Sequence, residues 1–79
     1  MTTVHIDRSI DARGTPCPGP LMSLIGAIRE CEVGQIIEVI SSDEGSKIDI
    51  PAWLDKAGHE IVEIVEEEGS TRFLVRKAR

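Results

Sequence analysis

Residues 16–41 read PCPGPLMSLIGAIRECEVGQIIEVIS, and their punctuation decides the fold. Leu21, Leu24, Ile25, Ile28 and Cys31 recur at i, i+3, i+4, i+7 and i+10, one apolar face of a helix spanning about Pro18 to Cys31. Gly34 stops it. Gly26 in its middle weakens it by about 1 kcal/mol. Ile36, Ile37, Val39 and Ile40 then form a β-branched run of strand length between Gln35 and Ser41, the pattern of a strand in the interior of a sheet.

Working outward, Val4, Ile6 and Ile10 alternate along residues 4–10 and predict a half-buried first strand, with Arg8 interrupting the stripe. A loop containing Gly14, Thr15 and Pro16 separates it from the helix. Beyond Ser42–Gly45, Ile50, Trp53, Leu54 and Ala57 return at helical spacing and end at Gly58, a C-terminal cap, while Asp43 or Ser46 is placed to cap the start. Pro51 leaves that start open between a distorted first turn and a later beginning. Residues 60–67 fit helix and strand periods alike; β-branching and the Glu67–Ser70 turn favour a strand, paired as a hairpin with residues 71–76. The order is βαβαββ. Right-handed crossovers put both helices on one face of a four-stranded mixed sheet, an α/β two-layer sandwich whose first three strands run the same way.

Seventy-nine residues support one domain, 1–79, and area scaling gives a folded surface of about 4,700 Å². The net charge of -5, a single Trp and Phe, and no Tyr argue against direct nucleic-acid binding. No secretory pattern and no membrane-length apolar run appear, so a cytoplasmic, reduced protein is expected. Trp53 reads as core, and the glutamates at 60, 63, 66, 67 and 68 as one solvated face opposite basic residues of the last strand.

The same topology gathers residues 11–17 and 41–47 on one sheet edge and puts His5 and His59 on the other. Cys17 stands at the helix start, with prolines at 18 and 20 leaving the N–H groups of Gly19 and Leu21 free to face it. A helix end stabilises a thiolate by about 0.3–2 kcal/mol, giving a nucleophilic thiol suited to sulfur exchange. Spacing excludes the competing chemistries. Position 20 is Pro, so there is no C-x-x-C; Cys31 lies about 21 Å along the helix; zinc ligands do not converge; and neither histidine reaches the thiol.

Ile10-Asp11-Ala12-Arg13-Gly14 followed by Cys17-Pro18-Gly19-Pro20, with Asp43 and Asp49-Ile50-Pro51 as a second motif, resembles the TusA/SirA-like sulfur carriers over nearly the full length. The chain departs from that pattern at Gly19, where tRNA-thiolating members tend to carry Glu, and at Thr15-Pro16. The resemblance implies that Cys17 accepts sulfane sulfur as a transient persulfide, without another cofactor, and passes it to a partner's cysteine. It also implies a donor of the cysteine desulfurase or rhodanese type, an acceptor of the DsrE-like or thiolation-enzyme type, and a monomer without independent small-molecule turnover. The alternatives are a regulatory or scaffold domain and, more remotely, a thiol oxidoreductase. Gly14, Pro18, Gly19 and Pro20 support the motif. Arg13, Met22, Asp43 and Lys47 are candidate partner or persulfide contacts, although Met22 also reads as the edge of the core. Arg13 and Lys47 read equally as solubility charges or as cations that would stabilise the thiolate and receive an acidic partner. Position 19 is expected to be open, so that bulk there would obstruct an incoming sulfur without disturbing the fold.

Overall fold

The computed structural model describes residues 5–16 and 19–79. The apolar stripe of residues 21–31 produces helix α1, Gly19–Glu30, which follows strand β1, Arg8–Asp11, and precedes strand β2, Ile36–Ser41. Leu24, Ala27 and Ile28 are buried, and Leu21 and Cys31 pack at the margin of the same cluster. The chain continues through helix α2, Ser46–Ala57, strand β3, Glu60–Glu67, and strand β4, Ser70–Arg76. Its accessible surface is 4763 Å², close to the value expected from chain mass.

The sheet order is β1-β2-β4-β3. β1 runs parallel to β2, and β4 is antiparallel to both of its neighbours. β1, β2 and β3 therefore share a direction, as expected. The crossover through α2 leaves a slot beside β2, which the hairpin fills with β4. Ile37 and Val39 pair with Val75 and Phe73 on the helix side, all buried with Ile50 and Leu54 of α2 and Leu24 of α1. Both helices thus cover one face.

β2 is buried on its other face too. Glu38 and Leu74, paired in register, are 6% and 7% exposed. The Glu38 carboxylate accepts a 2.7 Å hydrogen bond from Ser9 Oγ and pairs with Arg72 at 3.3 Å, which compensates its desolvation.

Four expectations are corrected. The first strand begins at Arg8, not Val4, because β2 starts at Ile36 and offers residues ahead of Asp7 no partner; Val4 lies outside the described residues and Ile6 is exposed. Asp7 seals that end: its N–H donates to Ile36 O, and its carboxylate accepts from Ile36 N, both at 2.9 Å. α2 starts ahead of Pro51, and neither Asp43 nor Ser46 caps it with a side chain; Gly45 occupies the cap. Its opening is tightened instead by i to i+3 bonds from Ser46, Lys47 and Ile48 to the carbonyls of Asp43, Glu44 and Gly45. At the far end Gly58, at φ +80°, closes the helix on Leu54 O as expected.

The remaining two corrections concern β3 and its neighbour α2. A register shift between Ile61 and Glu63 makes a bulge, so Ile61 and Ile64, three apart, oppose Val75 and Phe73 on the helix side. The glutamates consequently do not share one face. Glu60 and Glu67 pair across the hairpin with Arg76 and Arg72, whereas Glu66 bonds Lys47 of α2. Trp53 is half-buried at the margin of the core, its ring 5.8 Å from that of His59.

Candidate functional site

The loops after β1 and β2 meet at one sheet edge, as the parallel topology requires. Ala12 N–H donates to Ile40 O at 2.8 Å, and Gly14 N–H to Ser42 Oγ at 2.8 Å. Gly14 takes φ +82°, a conformation open to glycine, and this turns the chain toward Thr15 and Pro16. Gly14, Thr15, Pro16, Ser42 and Asp43 line a shallow groove, which meets at Ser42 and Asp43 a polar hollow of about 240 Å³ reaching Lys47, Glu67 and Thr71.

Cys17 and Pro18, the centre of the motif, lie outside the described residues; their flanks do not. Gly19 N–H, expected to be free, donates instead to Pro16 O at 2.8 Å, joining the residues on either side of the pair. Pro20 is buried and anchors the first turn of α1. Position 19 is not open. A Cβ there would stand 2.2 Å from Thr15 Cγ2, so bulk at 19 would disturb its own loop before it met a partner.

The two cations of this edge are already matched within the chain. Arg13 forms a two-point pair with Asp11, Nε to Oδ1 at 2.9 Å and Nη2 to Oδ2 at 2.7 Å. Hydrogen bonds from the Arg13 side chain and backbone hold the Asp11 carboxyl down at about 2. Lys47 lies between Glu66 at 2.9 Å and Glu44 at 3.3 Å, which raise its pKa, while it lowers that of Glu66. Asp43 contributes backbone: its N–H donates to Ser41 Oγ and its carbonyl accepts from Ser46 N. Met22 is 60% exposed on the outer side of α1, which overturns the reading of it as core edge.

Ser41 was not singled out by sequence reasoning, and Ser46 only as a candidate cap for α2. Both are buried, and Ser41 Oγ donates to Ser46 Oγ at 2.8 Å, pinning the end of β2 to the start of α2. Two serines flanking a turn carry no periodic signal, so nothing in the sequence marks the bond between them.

The opposite edge holds both histidines and Cys31. His5 pairs with Asp7 ahead of β1, and His59, ahead of β3, accepts a 3.1 Å hydrogen bond from Ala78 N at Nδ1. Burial, then Lys77 and Arg79, lower the His59 pKa. Cys31 is half-buried at the far end of α1, where Lys77 Nζ donates to its carbonyl. Among the described residues no cluster of metal-ligating side chains forms, and no helix is long and apolar enough to cross a membrane.

A four-stranded mixed sheet covered on one face by two helices, with a Cys-Pro-x-Pro segment leading into the first, defines a class of small α/β sandwich. The chain belongs to the sulfurtransferase TusA family, whose model matches residues 8–77. A candidate sulfur carrier protein of Archaeoglobus fulgidus is 53% identical over 70 residues, covering 89% of this chain and 96% of its own. The sulfur carrier protein TusA of Pseudomonas aeruginosa is 37% identical over 75 residues, 95% of each chain. A SirA-like protein of Desulfitobacterium hafniense, 23% identical, superposes with a TM-score of 0.81 over 91% of this chain and 99% of its own, a likeness of fold.

Proposed function

We propose that this protein is a sulfur carrier that holds sulfane sulfur as a persulfide on Cys17. The family match across residues 8–77 carries the reading. It is supported by the placement of the other cysteine: Cys31 follows the last residue of α1, about 18 Å by helix rise from the end where Cys17 precedes it. In the first step the Cys17 thiolate attacks the outer sulfur of a donor persulfide. A new S–S bond forms, the donor's S–S bond breaks, and the donor leaves as a thiolate. In the second step a thiolate of the acceptor protein attacks the terminal sulfur, and Cys17 is released as thiolate. Sulfane sulfur moves without net oxidation or reduction, so neither cofactor nor metal is called for. A reducing compartment such as the cytoplasm keeps the thiols available.

Intact mass after incubation with polysulfide tests this, with gain of one sulfur, about +32 Da, expected for the wild-type chain. Cys17→Ser should take none and fold normally. Cys31→Ser should load normally but lose about 1 kcal/mol, because it puts a hydroxyl at the margin of the apolar cluster. Equal loading of Cys17→Ser, or no adduct on the wild type, would overturn the reading, the second outcome favouring a scaffold.

A further inference from the structure

The residues after β4 meet the last turn of α2 at the sheet edge opposite the loops that follow β1 and β2. Lys77 is pinned there by three hydrogen bonds. Its N–H donates to Gln35 O at 3.0 Å, its carbonyl accepts from Gly34 N at 2.7 Å, and its Nζ donates to Cys31 O at 2.6 Å. The next two residues rest on the end of α2 instead. Ala78 N–H donates to His59 Nδ1 at 3.1 Å, and the Arg79 side chain lies over Gly58, where an added Cβ would stand 2.9 Å from its Cδ and 2.6 Å from its Nη1. Gly58 is the cap of α2, so Arg79 brings a cation to a helix end whose carbonyls favour one. Residues 78 and 79 thus close over the α2 terminus from a fixed point at 77.

We propose that Ala78 and Arg79 form a clasp on the end of α2 that is closed while His59 is neutral and opens when His59 takes up a proton. Nδ1 accepts the Ala78 N–H only while its lone pair is free; a proton added there from solvent leaves two donors facing each other. It also adds a third positive charge to those of Lys77 and Arg79, the charges that act on the ring. No compensation is at hand: Glu60, next along β3, is taken by Arg76, and α2 brings the uncharged ring of Trp53. The three bonds of Lys77 do not involve His59, so opening is confined to residues 78 and 79 and leaves β4 paired. The clasp is separate from the sulfur-carrier reading and stands at the edge away from residues 11–16.

The test is 15N NMR of the full chain from about pH 8 to about pH 5, reading amide-exchange protection residue by residue together with the His59 ring nitrogens. Protection of the Ala78 amide should fall about tenfold through the His59 midpoint, which lies below the ordinary 6.5, while the amides of Gly34 and Lys77 keep theirs. Linkage makes the effect reciprocal: Ala78→Pro, which removes the donor, should raise the His59 midpoint toward 6.5. His59→Phe, with no acceptor, should leave the Ala78 amide unprotected at every pH. An Ala78 amide equally protected with His59 protonated and neutral would overturn the inference, as would a His59 midpoint unmoved by Ala78→Pro, or a His59 that stays neutral across the range. Loss of protection at Val39 and Val75 together with Ala78 would overturn it too, because the core, not the clasp, would then be opening.

Discussion

Arg13 shows how a single contact changes a residue's role. The sequence leaves it free to serve a thiolate or a partner, but the fold commits its guanidinium to Asp11 through two hydrogen bonds. The folded Asp11 carboxyl lies at about 2, below its ordinary value of 3.8. Its contribution to stability is therefore present above pH 3.8 and lost as pH falls through about 2. Arg13→Gln removes the paired charge and the guanidinium donors, so the Asp11 titration midpoint, followed by NMR of its side-chain carboxyl, should move up toward 3.8. A midpoint that stays near 2 would show that the backbone bond from residue 13 suffices. Lys47, held by two glutamates, is committed in the same way, so neither cation reaches an incoming partner without giving up its carboxylate.

Helix α1 combines a strong apolar face with one local weakness. Gly26 is exposed, has room for a side chain and occupies the helix middle, where glycine costs backbone entropy. Gly26→Ala should stabilise the protein by about 1 kcal/mol, read as a rise in melting temperature of roughly 4–8 °C. No change or a fall would mean that the open space over residue 26 is needed by the native helix. Strand β3 teaches the complementary lesson. Its I-V-E-I-V-E pattern fits a helix as well as a strand because apolar residues recur at three. The bulge at Val62 is what returns Ile61 and Ile64 to the same side of the sheet. A periodicity rule that assumes strict alternation misassigns such a segment, and β-branching decides it correctly.

At the scale of the whole molecule, the edge that carries His59 is sensitive to pH as well. Burial, then Lys77 and Arg79, lower the His59 pKa, and its Nδ1 accepts from Ala78 N, a bond that protonation of that nitrogen abolishes. Because the folded pKa lies below the ordinary 6.5, the folded state binds fewer protons than the unfolded one. This contribution is present above pH 6.5 and is lost as pH falls through the lowered folded value. Fluorescence of the lone Trp, whose ring lies 5.8 Å from that of His59, should follow the same titration. His59→Gln should flatten it; an unchanged profile in the variant would assign the titration to another group.

The sequence by itself determined the element order, the interior position of β2 and the meeting of the loops after β1 and β2, and it singled out Cys17 as the candidate thiol. These depend on local quantities: apolar period, β-branching, Gly and Pro placement, and the handedness of crossovers. Only the tertiary structure decided where β1 begins, which carboxylates claim Arg13, Lys47 and Arg72, that Met22 is exposed, and that Gly19 is closed off by Thr15. Each of these depends on which atoms from separate segments come within a few ångströms. Strand register and loop packing set those distances, and no spacing along the chain encodes them.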